Sequence, residues 1–164
     1  MNPCPCGHYN DPTKPCTCPP GAVHRYLSRI SGPLLDRIDI QVEIVPVPFI
    51  KLSDETQSES SAVIRERVIK ARLIQTERFK DFDGIYCNAQ MSSKQIRSFC
   101  KVTDDSLQLL SMAMQRFGLS ARAYDRILKV SRTIADLEGS QDIQPQHIRE
   151  AISYRNLDRE SWGE

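Results

Sequence analysis

Four cysteines in a proline-rich stretch constrain the fold of this chain more than any other feature of its sequence. They form two Cys-x-Cys pairs, Cys4 with Cys6 and Cys16 with Cys18. Nine of the ten prolines fall within the first 48 residues. Proline fixes φ and removes a backbone donor, so this stretch can form little continuous helix or sheet. It therefore needs a source of order other than a large apolar core.

The two cysteine pairs suit a single metal ion. Short turns let both sulfurs of a pair face one point, and four thiolates can then surround a tetrahedral Zn²⁺ in a structural site. His8 is an alternative ligand, and reduced thiols without a metal are the alternative to the site itself. Nothing in the sequence indicates export, so disulfides are not expected. Cys87 and Cys100 lie far from the pairs, and we expect both to be small buried apolar residues.

The second part of the chain has the periodicity of helices. A polar, serine-rich stretch at residues 51–61 predicts a linker, and we place the domain boundary between residues 57 and 58. Beyond it, apolar spacing and capping residues predict five helices in a small bundle. They cover residues 60–79, a segment after Ser92 or Ser93, a segment from the cap at 103–105 to Gly118, residues 120–139, and a segment from Pro145 to Ile152. The predicted core positions are Ile64, Val68, Ala71, Gln75, Phe79, Leu107, Leu110, Met114, Phe117, Ala123, Ile127, Val130, Ile134, Leu137, Ile148, Ala151 and Ile152.

Residues 1–57 contain less regular structure. Apolar spacing predicts a short helix within residues 21–30 and a further turn or two around residues 34–38. Residues 39–45 alternate polar and apolar side chains as a strand does, and Pro46 and Pro48 end the pattern. A lone strand needs a partner, so we expect it to pair with strands upstream of Met1 or in another chain.

Composition excludes a membrane span and gives no global signal for a charged partner. The chain has 164 residues with 22 Lys+Arg and 21 Asp+Glu, a formal net charge of +1. No stretch has the roughly 18 consecutive apolar residues of a membrane helix, and no signal peptide is recognisable. We therefore expect a soluble cytoplasmic protein with no membrane partner.

Three motifs resemble one family when they are taken in order along the chain. They are residues 1–7 (MNPCPCG), 31–39 (SGPLLDRID) and 119–128 (LSARAYDRIL). In this order they are similar to magnesium-chelatase-like AAA+ ATPases of the ComM/YifB type, and the resemblance covers nearly the whole chain. It implies the C-terminal portion of a longer ATPase with a mainly α fold. Residues 1–57 would be the remnant of an AAA+ α/β core with the cysteine-rich loop, and residues 58–164 the helical lid.

The resemblance also implies catalytic roles for three residues. Asn2 is similar to the sensor 1 residue that orients the attacking water. Arg37 is similar to the arginine finger that reaches the ATP of the neighbouring subunit. Arg122 resembles the sensor 2 arginine, which the lid carries toward the nucleotide of its own core. These residue types suit phosphoryl transfer, which depends on positioning and on neutralising phosphate charge.

Arg122 also belongs to a basic stripe that the spacing itself predicts. Arg122, Arg126 and Lys129 lie four and three residues apart, so on a helix they share one face. We interpret Arg122 and Arg126 as nucleotide-binding residues. A solvated helix face is the alternative for the whole stripe.

The other two assignments have simpler alternatives when the motifs are taken alone. Arg37 would then form an ion pair with Asp36 or Asp39, and Asn2 would be a turn residue before Pro3.

The leading functional hypothesis is a fragment of a DNA motor. The resemblance implies that the full-length protein forms a ring, a homo-hexamer, which uses ATP and Mg²⁺ to move on DNA as a helicase does in branch migration. The chain has no G-x-x-x-x-G-K-[ST] loop and no acidic strand end that could hold Mg²⁺. We therefore expect the chain alone to be inactive.

Two other functions stay open. In one, the chain is a stand-alone zinc-containing nucleic-acid-binding module without ATPase activity, whose phosphate contacts come from Lys14, His24, Arg25 and Arg29. The other is the motor subunit of a magnesium chelatase, which inserts a metal into a porphyrin. The cysteine loop counts against that second alternative, because it is typical of the ComM-like branch of the family.

Overall fold

The regular structure of the described residues consists of seven α-helices and one 3₁₀ turn. The structure is a computed structural model, and it describes residues 1–44, 47 and 58–155. The helices are α1 (Ala22–Leu27), α2 (Gly32–Leu35), α3 (Ser61–Phe79), α4 (Ser93–Phe99), α5 (Asp104–Arg116), α6 (Ala121–Glu138) and α7 (Pro145–Ser153), and the 3₁₀ turn is Asn88–Gln90. The predicted mainly α fold class is confirmed. None of the described helices combines the length and the hydropathy needed to cross a bilayer.

Hydroxyl side chains fix where α3, α4, α5 and α6 begin, as the sequence predicts. Ser60, Thr103 and Ser120 each accept a hydrogen bond from the backbone N–H three residues later, at 3.5, 3.4 and 3.2 Å. Each bond satisfies one of the N–H groups that a helix leaves unpaired at its start. Ser92 begins α4 with a capping box, in which its own backbone N–H donates to Gln95 Oε1 at 2.8 Å.

The helices from α3 to α7 share one apolar core with α6 at its centre. α6 packs against α3, α4, α7 and the 3₁₀ turn, and α5 packs against α7. The predicted core residues that are buried there are Phe79, Leu110, Ala123, Ile127, Ile134, Ile148 and Ala151. Each large apolar side chain removed from water in this way contributes roughly 1.5–3 kcal/mol.

Four predicted core positions are exposed, so the prediction is wrong there. Ile64 and Val68 are 42% and 47% exposed, because every residue of α3 from 61 to 70 extends beyond the described helices that pack against it. Leu107 is exposed because the buried face of α5 includes Ser106 instead. Leu137 lies in the last turn of α6 and is also exposed.

The strand predicted over residues 39–45 is not formed by residues 39–44, and residue 45 lies outside the described residues. A strand needs a neighbour that completes its hydrogen bonds, and no described segment supplies one. The side chains of Val42 and Ile44 are exposed. The backbone of Gln41 instead donates to the Tyr154 carbonyl at 2.8 Å, which joins this segment to the end of α7.

The two short helical predictions in the first part of the chain are confirmed by α1 and α2. Residues 51–57 of the predicted linker lie outside the described residues, and the described residues 58–60 are exposed and irregular. The domain boundary between residues 57 and 58 stays a prediction.

A buried cluster of one carboxylate and two guanidiniums ties α3 to α6. Asp136 of α6 is 1% exposed, and Arg78 of α3 donates to both of its oxygens at 2.5 and 2.7 Å. Arg132, one turn earlier on α6, donates its Nε to Asp136 Oδ1 at 3.1 Å. Asn88 completes the cluster, because its Nδ2 donates to Asp136 Oδ2 at 2.7 Å and its Oδ1 accepts from Arg78 at 2.8 Å. The buried charges thus have hydrogen-bonding partners, which is the condition for tolerating them inside a protein.

Arg132 also closes the loop that follows α6. Its Nη1 and Nη2 donate to the carbonyls of Gln141 and Ser140 at 2.8 and 2.6 Å. The chain can turn back there because Gly139 adopts a left-handed φ of +72°. One side chain therefore fixes both the end of α6 and the approach to α7.

We expect Asp136→Asn to destabilise the protein by roughly 3–5 kcal/mol. The substitution keeps the size of the side chain but leaves Arg78 and Arg132 without their buried counter-charge. The free energy of unfolding is measured by urea denaturation. Asp81→Asn, at an exposed carboxylate, is the matched control and should change stability by less than about 0.5 kcal/mol. Equal unfolding midpoints for the two variants would contradict the assigned role of Asp136.

Candidate functional site

The four predicted cysteines come together in the loop that precedes α1. All four Sγ atoms lie within 4.8 Å of one another. The Sγ–Sγ distances are 3.3 Å for Cys4–Cys6, 3.8 Å for Cys4–Cys16 and 3.5 Å for Cys6–Cys16. Zn–S bonds of about 2.3 Å in a tetrahedron place the sulfurs about 3.8 Å apart. The donor set therefore fits a thiolate-bound metal ion, and the cluster could hold one.

A tight turn positions the first pair of thiols. The Gly7 N–H donates to the Cys4 carbonyl at 3.1 Å, and Gly7 has a left-handed φ of +84° that favours glycine. The turn reverses the chain directly after Cys6, so that the sulfurs of Cys4 and Cys6 face the second pair. The amide nitrogen of Asn2 lies beside Gly7.

Hydrogen bonds give the thiols of the cluster unequal pKa values. Backbone N–H groups of His8 and Thr17 point at the Cys6 sulfur and lower its pKa to about 5, because they stabilise the thiolate. The backbone of Cys6 lowers the pKa of Cys18, but burial and the neighbouring thiols outweigh it and raise that pKa to about 12. A second thiolate beside the first is unfavourable unless a cation compensates the charge.

His8 lies outside the cysteine cluster. Its Nδ1 is 3.1 Å from Asp11 Oδ2, while the hydroxyl and backbone N–H of Thr13 donate to Asp11 Oδ1 at 2.7 and 2.8 Å. The hydroxyl and N–H of Thr13, together with His8, hold the pKa of Asp11 well below its usual range. The structure therefore favours four cysteines as the donor set over the alternative with His8.

The two remaining cysteines differ from each other. Cys100 is buried, as predicted, and burial raises the pKa of its thiol to about 12. Cys87 is only half-buried, and its thiol donates to Gln90 Oε1 at 3.5 Å, so its predicted burial is wrong. It precedes the 3₁₀ turn and does not lie within a helix packed in the core.

The three residues with predicted catalytic roles are all exposed. Within the described part of the chain, the side chains of Asn2, Arg37 and Arg122 form no hydrogen bond or ion pair, and none contacts another in this way. The alternative in which Arg37 pairs with Asp36 or Asp39 is wrong for this structure, because both carboxylates face other arginines. The catalytic roles stay predictions.

Arg126 and Arg155 are the arginines that face those two carboxylates. Arg126 of α6 forms an ion pair with Asp39 through its Nη1. Arg155 follows α7 and donates its Nη1 to the Ile38 carbonyl at 2.8 Å, and its Nη2 lies 3.9 Å from Asp36 Oδ1. Of these two arginines the sequence pattern singled out Arg126 alone, and it gave no sign of either ionic partner.

The basic residues proposed for nucleic-acid contact lie before, within and just after α1. Lys14, His24, Arg25 and Arg29 are all exposed. The Arg29 guanidinium lies over the Tyr26 ring, 5.9 Å from its centroid. This arrangement is compatible with a surface for phosphates, and it stays a prediction.

Comparison with known proteins gives matches along most of the chain. A family model described as magnesium chelatase, subunit ChlI C-terminal, matches residues 58–155, and one described as magnesium chelatase, subunit ChlI, matches residues 1–52. Competence protein ComM of Haemophilus influenzae is 44% identical over 160 residues, which cover 97% of this chain and 30% of that protein. Uncharacterized protein YifB of Escherichia coli is 44% identical with the same coverage. Uncharacterized protein Rv2897c of Mycobacterium tuberculosis is 33% identical over 156 residues, 94% of this chain and 30% of that protein. The chain spans about 30% of the length of these curated relatives.

In metal-free, reduced protein at pH 7 we expect iodoacetamide to modify Cys6 well before Cys18. The thiolate is the reacting form, and pH 7 lies above the pKa of about 5 for Cys6 and below the pKa of about 12 for Cys18. Mass spectrometry of peptides after partial alkylation measures the order. Buried Cys100 should stay unmodified until the protein is unfolded. Equal labelling of Cys6 and Cys18 would contradict the assigned hydrogen bonds.

Proposed function

The chain belongs to the magnesium chelatase ChlI family, and from this membership we propose that it is part of an AAA+ ATPase of the ComM type. The observation that carries the proposal is 44% identity to ComM and to YifB over 97% of the chain. The full-length protein would assemble as a homo-hexameric ring and couple ATP hydrolysis to movement on DNA. The three motifs at residues 1–7, 31–39 and 119–128 and the cysteine loop, which resemble the ComM/YifB type, support this motor over a subunit that inserts metal into a porphyrin.

In this proposal Arg37 and Arg122 act on ATP from different subunits. Arg37 supplies a guanidinium to the ATP held by the neighbouring subunit, where it neutralises charge that develops on the phosphate oxygens. Arg122 contacts the nucleotide of its own subunit, and Asn2 orients the attacking water. The exposure of all three side chains supports these roles, because a residue that contacts a ligand has to be accessible. Mg²⁺, when bound with ATP, would share in neutralising the phosphates.

We further propose that the cysteine cluster is a structural zinc site. Cys4, Cys6, Cys16 and Cys18 would provide all four ligands, which leaves no open position for substrate or water. The bound ion would stabilise the folded loop, since four thiolates close together are stable only around a cation. The site would fix the loop that carries Asn2 at its start.

We expect the purified protein to carry one Zn²⁺ per chain and the Cys4→Ser variant to carry almost none. Cys4 is the buried cysteine of the cluster, so its loss opens the site. Metal content is measured by inductively coupled plasma mass spectrometry. Cys87→Ser, outside the cluster, is the matched control and should keep its zinc. Full zinc in Cys4→Ser, or none in the parent protein, would contradict the proposed site.

In the full-length protein that contains this chain, we expect Arg37→Ala to reduce the kcat of ATP hydrolysis by about 10³-fold or more. The affinity for ATP should stay within about twofold, because Arg37 contacts the nucleotide of another subunit and acts on the transition state. A coupled ATPase assay and a nucleotide-binding titration measure the two effects. Arg149→Ala, at an exposed arginine of α7, is the control. Unchanged turnover in Arg37→Ala would contradict the proposed function.

A further inference from the structure

We propose that Arg126 and Arg155 are positioning residues that hold the segment carrying Arg37 against the helical bundle. We call residues 36–41 the Arg37 segment. The inference rests on the proposed function and deepens it, because it assigns Arg126 to the placement of the catalytic arginine instead of to the nucleotide. The placement of Arg37 then follows the placement of the bundle.

The Arg37 segment is anchored on both sides of Arg37. Arg155 contacts both sides: its Nη2 lies 3.9 Å from Asp36, before Arg37, and its Nη1 donates to the carbonyl of Ile38, after Arg37, at 2.8 Å. Arg126 adds its ion pair with Asp39, two residues after Arg37. The backbone bond from Gln41 to Tyr154 adds a third link to the bundle. Arg37 thus lies between anchored neighbours while its own side chain stays exposed.

The contacts of Arg155 and Arg126 with the Arg37 segment differ in strength because the two side chains differ in burial. Arg155 is 2% exposed, so its contacts act where water screens them little. Arg126 and Asp39 are both partly exposed, and solvent weakens their attraction. Arg155 is therefore the main anchor, and Arg126 is the adjustable one.

The adjustable anchor lies on the same helix as the residue proposed to contact ATP. Arg122 and Arg126 are one turn apart on α6, about 6 Å along its axis. α6 is the central helix of the bundle, and the Asp136 cluster fixes its far end to α3. A shift of α6 when Arg122 meets nucleotide is therefore transmitted to Asp39 and to the Arg37 segment. This gives coupling between the ATP site of one subunit and the site that its arginine serves in the next.

The first test uses hydrogen exchange on the 164-residue chain. Arg126→Gln should raise the exchange rate of amides in residues 37–41 by about fivefold or more, since the Gln41 amide loses its fixed acceptor when the segment is released. Arg155→Gln should do so more strongly.

Because Arg155 is buried, Asp39→Asn provides a second variant that leaves the core unchanged. The double variant Arg126→Asp with Asp39→Arg should restore protection. Arg149→Gln is the matched control, and exchange in Arg126→Gln or Asp39→Asn equal to that control overturns the inference.

The second test measures ATP turnover in the full-length protein. Arg126→Gln should lower kcat about tenfold or more while the Kd for ATP stays within about twofold, and the charge-swapped double variant should recover turnover. A raised Kd with unchanged kcat overturns the inference, because Arg126 would then contact nucleotide. Turnover that Arg37→Ala leaves unchanged overturns the proposed function. Turnover lost in Arg37→Ala but intact in Arg126→Gln overturns the positioning role alone.

Discussion

The carboxylate of Asp136 is the interaction on which the helical part of the structure depends. Only three residues of α3 are buried as whole residues: Ala71, Gln75 and Phe79. Apolar contacts alone therefore attach this helix only weakly to the bundle. Arg78 adds two hydrogen bonds to Asp136, and Gln75 Oε1 accepts one from the backbone N–H of Asn88 at 3.2 Å. The same carboxylate aligns Arg132, which fixes the chain after α6. One buried charge therefore sets the relative placement of α3, α6 and α7, and with it the surface on which the Arg37 segment rests.

Local signals in the sequence were sufficient to predict where most helices begin and end. A hydroxyl cap or a left-handed glycine acts within one turn, so its effect does not depend on the rest of the fold. Burial depends on what lies opposite, and the sequence does not show that. Ile64 and Val68 continue the spacing of Ala71 and Phe79, yet the described bundle ends before it reaches them. The alternation in residues 39–44 shows an ability to pair as a strand, which is realised only beside another strand.

The difference between local signals and contacts with distant residues also applies to the candidate site. The cysteine cluster was predictable because closely spaced thiols in tight turns can meet without help from distant residues. The anchors of the Arg37 segment were not predictable, because Arg126 and Arg155 bind partners that lie 87 and 117 residues away in sequence. Arginine and aspartate are common, and no spacing marks which of them will pair. The basic stripe correctly placed Arg122 and Arg126 near one face of α6 but gave no sign that Asp39 would approach it.

The exposed first half of α3 gives this helix an unequal stability along its length. A segment of ten residues is too short to stay helical in water on its own, because starting a helix orders several residues for one hydrogen bond. Residues 61–70 therefore depend on the packed half of α3 as their nucleus, helped at the start by the ion pair between Glu59 and Arg67. Helix order grows outward from the Asp136 contact and declines toward Ser60. The exposed half of α3 thus becomes less stable with distance from the bundle, and its stability depends on Asp136, a carboxylate on another helix.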